Sequence, residues 1–230
     1  MLKAAPLAVA GYQGPGLPEL ALGAMLLPAE PAERYAGSVA CVQSVLGGEY
    51  RYPRGAPEDV RSIVDIGFNI GAFTVWACRC WWPGRIARVV GYEPNAQALE
   101  LARVNAELVE PTAVMLIPCA VSLDAAPRFS TGDNWGGGRT HGVVAGQQVP
   151  AVHPRDLPPA DVLKCDAEGV DADVFEHYQH WAGVRVALFE WHEPAHRARM
   201  EAVCRAAGLV QLRGDQGEQW GIGMQVWGRR

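Results

Sequence analysis

The stretch SIVDIGFNIGAFT, from Ser62 to Thr74, leads an apolar strand directly into a turn rich in glycine and asparagine. In it, Asp65 is followed at every second position by Gly67, Asn69 and Gly71. Glycine and asparagine tolerate the left-handed backbone that a sharp strand-to-helix turn requires. A strand that ends in such a turn is typical of folds that bind a nucleotide across it. The pattern also fits a plain tight turn whose polar residues cap the next helix.

Strand and helix patterns alternate outward from this turn. The predicted elements are strand 61–67, helix 72–80, strand 85–94, helix 96–108, strand 113–122, strand 161–166, helix 172–181, strand 184–192 and helix 195–208. Two further strand patterns, LVQLRG and WGIGMQVWG, follow with no helical pattern between them. Alternation predicts a parallel sheet with helices on both faces. The fold class predicted is therefore α/β, a doubly wound seven-stranded sheet with a C-terminal antiparallel hairpin.

The 230 residues predict one domain with a modest extension. We expect the domain to span residues 59–230. Residues 1–58 are expected to form an arm and a helix at 31–46 that pack on it as a candidate cover for the acceptor pocket.

Composition excludes several functional classes. The net charge is −5 and no dense Lys/Arg run occurs, which argues against a nucleic-acid partner bound by general phosphate attraction. No apolar stretch approaches the roughly 20 residues of a membrane span, and Pro6 interrupts the short apolar N-terminus. The six cysteines contain no CxxC pair, which favours buried free thiols in a reducing compartment. We therefore expect a cytoplasmic protein with neither a membrane nor a nucleic-acid partner.

Two carboxylates bear on which nucleotide binds. A dinucleotide sets its pyrophosphate on the helix that follows the turn, and Asp65 at the strand end would repel it. The same charge would attract the cationic region of S-adenosylmethionine. Glu93, 22 residues after Gly71, stands where a carboxylate accepts hydrogen bonds from a ribose diol. Because nicotinamide enzymes use an acid there too, Glu93 predicts an adenosine ligand without choosing between the cofactors.

Ionisable groups collect at the ends of two later strands. The fourth strand ends in LKCDAEG and the fifth in FEWHE. These stretches bring Asp166, Glu168, Glu190 and His192 to the ligand edge of the sheet. His192 titrates in the range that suits a general base, with Asp166 and Glu190 beside it as further catalytic candidates. Alternatively, His192 is structural and Asp166 caps a helix; the four groups would also suit a divalent metal, although no metal is predicted.

The ordered set VDIGFNIG, GYEPN, CAVS, LKCDAEG and FEWH resembles the FkbM family of S-adenosylmethionine-dependent methyltransferases. The resemblance covers about residues 60 to 195 and implies the class I methyltransferase fold. Family members mostly O-methylate sugars and hydroxyls of secondary metabolites, so it implies a small hydroxylated acceptor. Two departures are Phe68, where a small residue is usual, and the weakly acidic stretch VHPRDL at 152–157.

Site residues follow from the resemblance by position. The methionine end of the cofactor would be lined by Asp65, Gly67, Asn69 and Gly71. Glu93 would hold the ribose with Asn95 close by, and the adenine would be bordered by Ala120 and Val121. Asp166 and Glu168 would face the reaction centre.

Several alternatives stay open. One is a nicotinamide-dependent oxidoreductase on a related sheet, and another is a non-catalytic adenosine-binding module. The loop at 133–136, with Trp135, is either a wall of the acceptor pocket or an exposed hairpin tip. The oligomeric state is open as well.

Overall fold

The computed structural model describes residues 57–130, 140, 142–143, 145–214 and 223–230, and the backbone of a short antiparallel pair, Lys3–Ala4 with Leu26–Leu27. Seven strands in this part of the chain form one mixed sheet. They are β1 (Ser62–Ile66), β2 (Arg88–Tyr92), β3 (Ala113–Ile117), β4 (Val162–Cys165), β5 (Val186–Trp191), β6 (Val210–Arg213) and β7 (Gly223–Gly228).

The strand order is β6-β7-β5-β4-β1-β2-β3. Neighbours from β3 across to β5 run parallel, whereas β7 is antiparallel to both β5 and β6. The predicted doubly wound sheet with a closing antiparallel hairpin is thus confirmed.

Four α-helices of the described residues cover the two faces of the sheet. They are α1 (Ala72–Trp76), α2 (Ala96–Ala106), α3 (Asp171–His177) and α4 (Pro194–Ala206). Side chains of α1 and α2 share one apolar core with one face of the strands, and side chains of α3 and α4 share a second core with the other face. Burial from both sides explains why the central strands are nearly continuous apolar runs.

The strand order reverses between β1 and β4. From β1 the chain builds outward through β2 and β3, and it then returns to place β4 on the other side of β1. In an open α/β sheet the carboxyl ends of the strands at such a switch point form a crevice that receives ligands.

Three predicted elements differ from the structure. The third strand stops at Ile117 because Pro118 has no N–H to continue the ladder, and Ala120–Val121 then pairs with Ala151–Val152 instead. The first helix changes after Trp76 into a wider π-helical turn. The helix expected to reach residue 181 ends at His177, where the backbone turns extended.

The described residues also bear on the predictions about cysteines and membrane spans. The five described cysteines are free, and all but Cys80 are buried. None of the helices in the described part combines the length and apolar character needed to cross a membrane. The predicted helix at 31–46, nearly all of the 1–58 extension and the loop at 133–136 lie outside the described residues.

Candidate functional site

A cleft opens at the switch point, at the carboxyl ends of β1, β2 and β4. The empty space between its lining atoms, counted out into open solvent, is about 370 Å³. The predicted site residues in its wall are Gly67, Glu93, Ala120, Val121 and Asp166. The predicted residues Asp65, Asn69, Gly71, Asn95, Glu190 and His192 lie outside this wall. The structure therefore brings together one turn glycine, both expected adenine neighbours and two carboxylates.

Backbone amides of the turn after β1 are engaged within the protein. The N–H groups of Gly67 and Phe68 both donate to the carbonyl of Tyr92, at 3.1 and 3.0 Å. The N–H of Asn69 donates to the carboxylate of Glu93 at 2.8 Å. A phosphate-binding turn aims such N–H groups at its ligand. Here three successive amides are already satisfied, so the turn suits a ligand that brings no phosphate to this position.

The glycines of the turn are required by packing within the protein. Gly67 and Gly71 have φ values of 73° and 87°, and Asn69 has 51°, a region that side chains with a Cβ rarely adopt. A Cβ on Gly67 would overlap the backbone carbonyl of Asp166, and one on Gly71 would lie 2.8 Å from the ring of Phe68. Gly71 is therefore required by the backbone of the turn and by the packing of Phe68.

Phe68, the departure noted in the sequence, points away from the cleft. Its side chain is buried in the core on the α1 and α2 face. A Cβ on Gly91 of β2 would overlap the ring of Phe68. The glycines at 71 and 91 thus form the socket that accommodates the large side chain, and the ring does not narrow the cleft.

Glu93 clamps the turn to the start of α2. One carboxylate oxygen accepts from the N–H of Asn69 and the other from the N–H of Asn95, each at 2.8 Å. Burial raises the pKa of Glu93, and these two hydrogen bonds oppose the rise. Each oxygen keeps a second lone pair for a ligand hydroxyl. Asn95 itself caps α2, since its side chain accepts from the N–H groups of Gln97 and Ala98.

Asp65 lies beneath the turn, with none of its surface exposed. Its carboxylate accepts a hydrogen bond from the Thr74 hydroxyl at 2.8 Å and pairs with the Lys164 ammonium at 3.3 Å. Burial alone would lower the pKa of Lys164, but the carboxylates of Asp65 and Asp166 raise it above its ordinary value. The positive charge of Lys164 therefore balances the negative charge of Asp65, which was expected to act on the ligand.

An acidic rim, made of Asp166, Glu168, Glu190 and His192, adjoins the cleft at Asp166. His192 Nε2 lies 3.0 Å from a Glu168 oxygen and 3.6 Å from a Glu190 oxygen, while Nδ1 lies 3.8 Å from Asp171. Burial alone would lower the pKa of His192, but Glu168, with help from Asp171 and Asp166, raises it to about 8. The imidazole is therefore mostly protonated at pH 7, and its positive charge attracts the surrounding carboxylates.

The same groups could hold a cation. Ligand atoms of Asp166, Glu168 and His192 all lie within 4.8 Å of one another. The contact between His192 and Glu168, at 3.0 Å, already joins two of these groups without a cation.

Sequence reasoning missed two residues that organise the site. Asp171 is buried and accepts from the N–H groups of Ala167 and Gly169 at 2.8 and 3.0 Å, which fixes the loop after β4. Its place at the start of a helical pattern was a usable signal. Phe129, which adds an aromatic wall to the cleft, carried no such signal.

Comparison with known proteins finds likeness only among solved structures. No family model matches the sequence, and no curated protein matches it. Magnesium protoporphyrin IX methyltransferase from Synechocystis PCC 6803, solved with bound SAH, is 11% identical with a TM-score of 0.47, over 86% of this chain and 85% of that chain. Precorrin-6y C5,15-methyltransferase from Geobacter metallireducens GS-15 is 15% identical with a TM-score of 0.43, over 84% and 88%. A putative RNA methyltransferase from Pyrococcus horikoshii is 9% identical with a TM-score of 0.47, over 84% of each.

Proposed function

We propose that the chain is an S-adenosylmethionine-dependent methyltransferase that methylates a hydroxyl group of a small molecule, a sugar or a secondary metabolite. The observation that carries this proposal is a turn with satisfied amides beside an acidic cleft at the switch point. Such a site favours an adenosine ligand that has a cationic end in place of phosphates. S-adenosylmethionine supplies a methyl group on a sulfonium when it is bound.

Three parts of the cleft wall would suit the three parts of that cofactor. The carboxylate of Glu93 would accept hydrogen bonds from the ribose diol through its remaining lone pairs. Asp166, which lines the wall beside Gly67, would face the cationic end. The adenine would lie against the apolar surface of Ala120, Val121 and Phe129.

The acceptor would approach the acidic rim. Methyl transfer requires an aligned acceptor oxygen and a group that takes its proton. His192 is the proposed base, with Glu190 and Asp166 beside it. Because the pKa of His192 is about 8, its neutral form becomes abundant only near and above that pH. Turnover should therefore rise with pH through this range.

Resemblance to the FkbM motifs supports a hydroxyl as the acceptor group. The net charge of −5 supports a small molecule over a nucleic acid. A nicotinamide cofactor fits less well because its pyrophosphate would find the turn amides engaged. Glu190 and His192, which suit proton transfer from an acceptor, favour an enzyme over a non-catalytic module.

Calorimetry with S-adenosylmethionine, its demethylated product SAH and NADH tests the proposal. We expect SAM and SAH to bind in the presence of a metal chelator and NADH not to bind. Mass spectrometry with a panel of sugars and phenolic or polyketide hydroxyls should then reveal a mass gain of one methyl group. Binding of NADH without SAH would refute the cofactor assignment, and methylation confined to amines, carbons or RNA would refute the acceptor.

A further inference from the structure

Lys164 joins the two halves of the candidate site. It stands on β4 in register with Asp65 of β1, and both side chains lie on the face of the sheet covered by α1. Its side chain is only 3% exposed. From there its ammonium donates to the carbonyls of Gly67 at 2.7 Å and Ile66 at 3.2 Å.

These contacts hold the ammonium within the protein. Two of its three N–H donors form hydrogen bonds with the two backbone carbonyls. The Asp65 oxygen at 3.3 Å is an ion-pair contact without hydrogen-bond geometry. A carboxylate oxygen of Asp166 lies 3.6 Å away on the side toward the cleft. Lys164 is therefore buried between the turn and two carboxylates and does not line the cleft.

We propose that Lys164 is a positioning residue that fixes the glycine turn after β1 and the carboxylate of Asp166 relative to each other, so that both meet the cofactor in one arrangement. This role rests on the proposed function.

The glycine turn after β1 and the backbone at Asp166 pack directly against each other, so their relative position shapes the cleft. The N–H of Asp166 donates to the carbonyl of Ile66 at 3.1 Å, the same carbonyl that Lys164 engages. Gly67 packs so closely on the Asp166 carbonyl that no Cβ could stand between them. A small displacement of either segment would therefore move two walls of the cleft at once.

Comparison of the Asp65→Asn variant with the Asp65→Asn/Lys164→Met double variant tests the role. Removing both charges avoids leaving a buried unpaired ion. We expect the double variant to bind SAH about 10- to 100-fold more weakly than Asp65→Asn, with a thermal midpoint close to that of Asp65→Asn. Leu188→Met, a change at the residue paired with Lys164 on β5, is the control and should bind SAH like the wild type.

Equal SAH affinity of the single and double variants would overturn the proposal. If the double variant does not fold, nitrogen NMR of the wild-type lysine ammonium groups decides instead. We expect the buried Lys164 signal to shift when SAH is added, and an unchanged signal in a chain that binds SAH would overturn the role. Failure of the wild type to bind SAH would refute the proposed function and this role with it, an outcome distinct from failure of Lys164 alone.

Discussion

Replacing Glu93 with glutamine tests the clamp between the turn and α2. The substitution keeps the shape of the side chain but turns one acceptor oxygen into an NH₂ donor. That donor would face a backbone N–H, of Asn69 or of Asn95, across a contact that is now 2.8 Å. Glu93 is only 7% exposed, so water cannot readily replace the lost acceptor. One hydrogen bond to a charged group is worth about 1.5–3 kcal/mol, and we expect the free energy of unfolding to fall by that amount.

The affinity for the cofactor should fall with it. A ribose hydroxyl that donates to the Glu93 carboxylate would lose the charge of its partner, again about 1.5–3 kcal/mol, which corresponds to about 10- to 150-fold in SAH affinity. Urea denaturation measures the first effect and calorimetry with SAH measures the second. Glu100→Gln is the matched control because Glu100 is exposed on α2, and it should change neither quantity.

Two results would refute different parts of this reasoning. Unchanged stability of Glu93→Gln would mean that the two N–H groups do not depend on the carboxylate. Lower stability with unchanged SAH affinity would keep the clamp and remove the ribose contact.

Three further predictions concern the turn and the rim. Gly67→Ala should lower the free energy of unfolding in urea by at least about 1–3 kcal/mol, because φ is 73° and the new Cβ would overlap the Asp166 carbonyl. The pKa of His192 is raised from 6.5 to about 8, so its interactions should contribute about 2 kcal/mol of stability below pH 6.5 and lose it as the pH rises through 8. The free energy of unfolding of the wild type and of His192→Asn, measured across this pH range, should differ below pH 6.5. The two values should converge as the pH rises through 8. His192→Ala should lower turnover by about 10²–10⁴-fold with little change in SAH affinity, and its pH–rate profile should lose the acid limb; full turnover would leave His192 with a structural role.

Much of the fold was predictable because its signals are local. Apolar strands and helical periodicity alternate along the chain. The absence of a helical pattern between the last two strand patterns predicts the closing hairpin. The errors are also local. The strand pattern continues past Pro118, yet the residue offers no N–H to the ladder. The helix pattern likewise runs past His177, where no glycine or proline marks the end.

The site was predictable where strand ends alone decide the position. Glu93 and Asp166 follow β2 and β4, and parallel strands bring such residues to one edge. The partner of Asp65 was not predictable, because its pairing with Lys164 depends on the register between β1 and β4. Register is a property of the whole sheet. The socket for Phe68 is similarly non-local, since Gly91 belongs to the next strand.

The choice of cofactor depends on which backbone N–H groups of the turn can still donate a hydrogen bond to a ligand. This dependence leads to a last prediction. Asp65 cannot repel a phosphate strongly because Lys164 balances it. Removing Glu93 would release the N–H of Asn69, yet the N–H groups of Gly67 and Phe68 would remain bound to the main-chain carbonyl of Tyr92, which no side-chain substitution removes. Glu93→Ala should therefore lose SAH affinity without gaining NADH affinity. Calorimetry with both ligands measures this, and appearance of NADH binding in the variant would show that the engaged amides do not exclude phosphate from the turn.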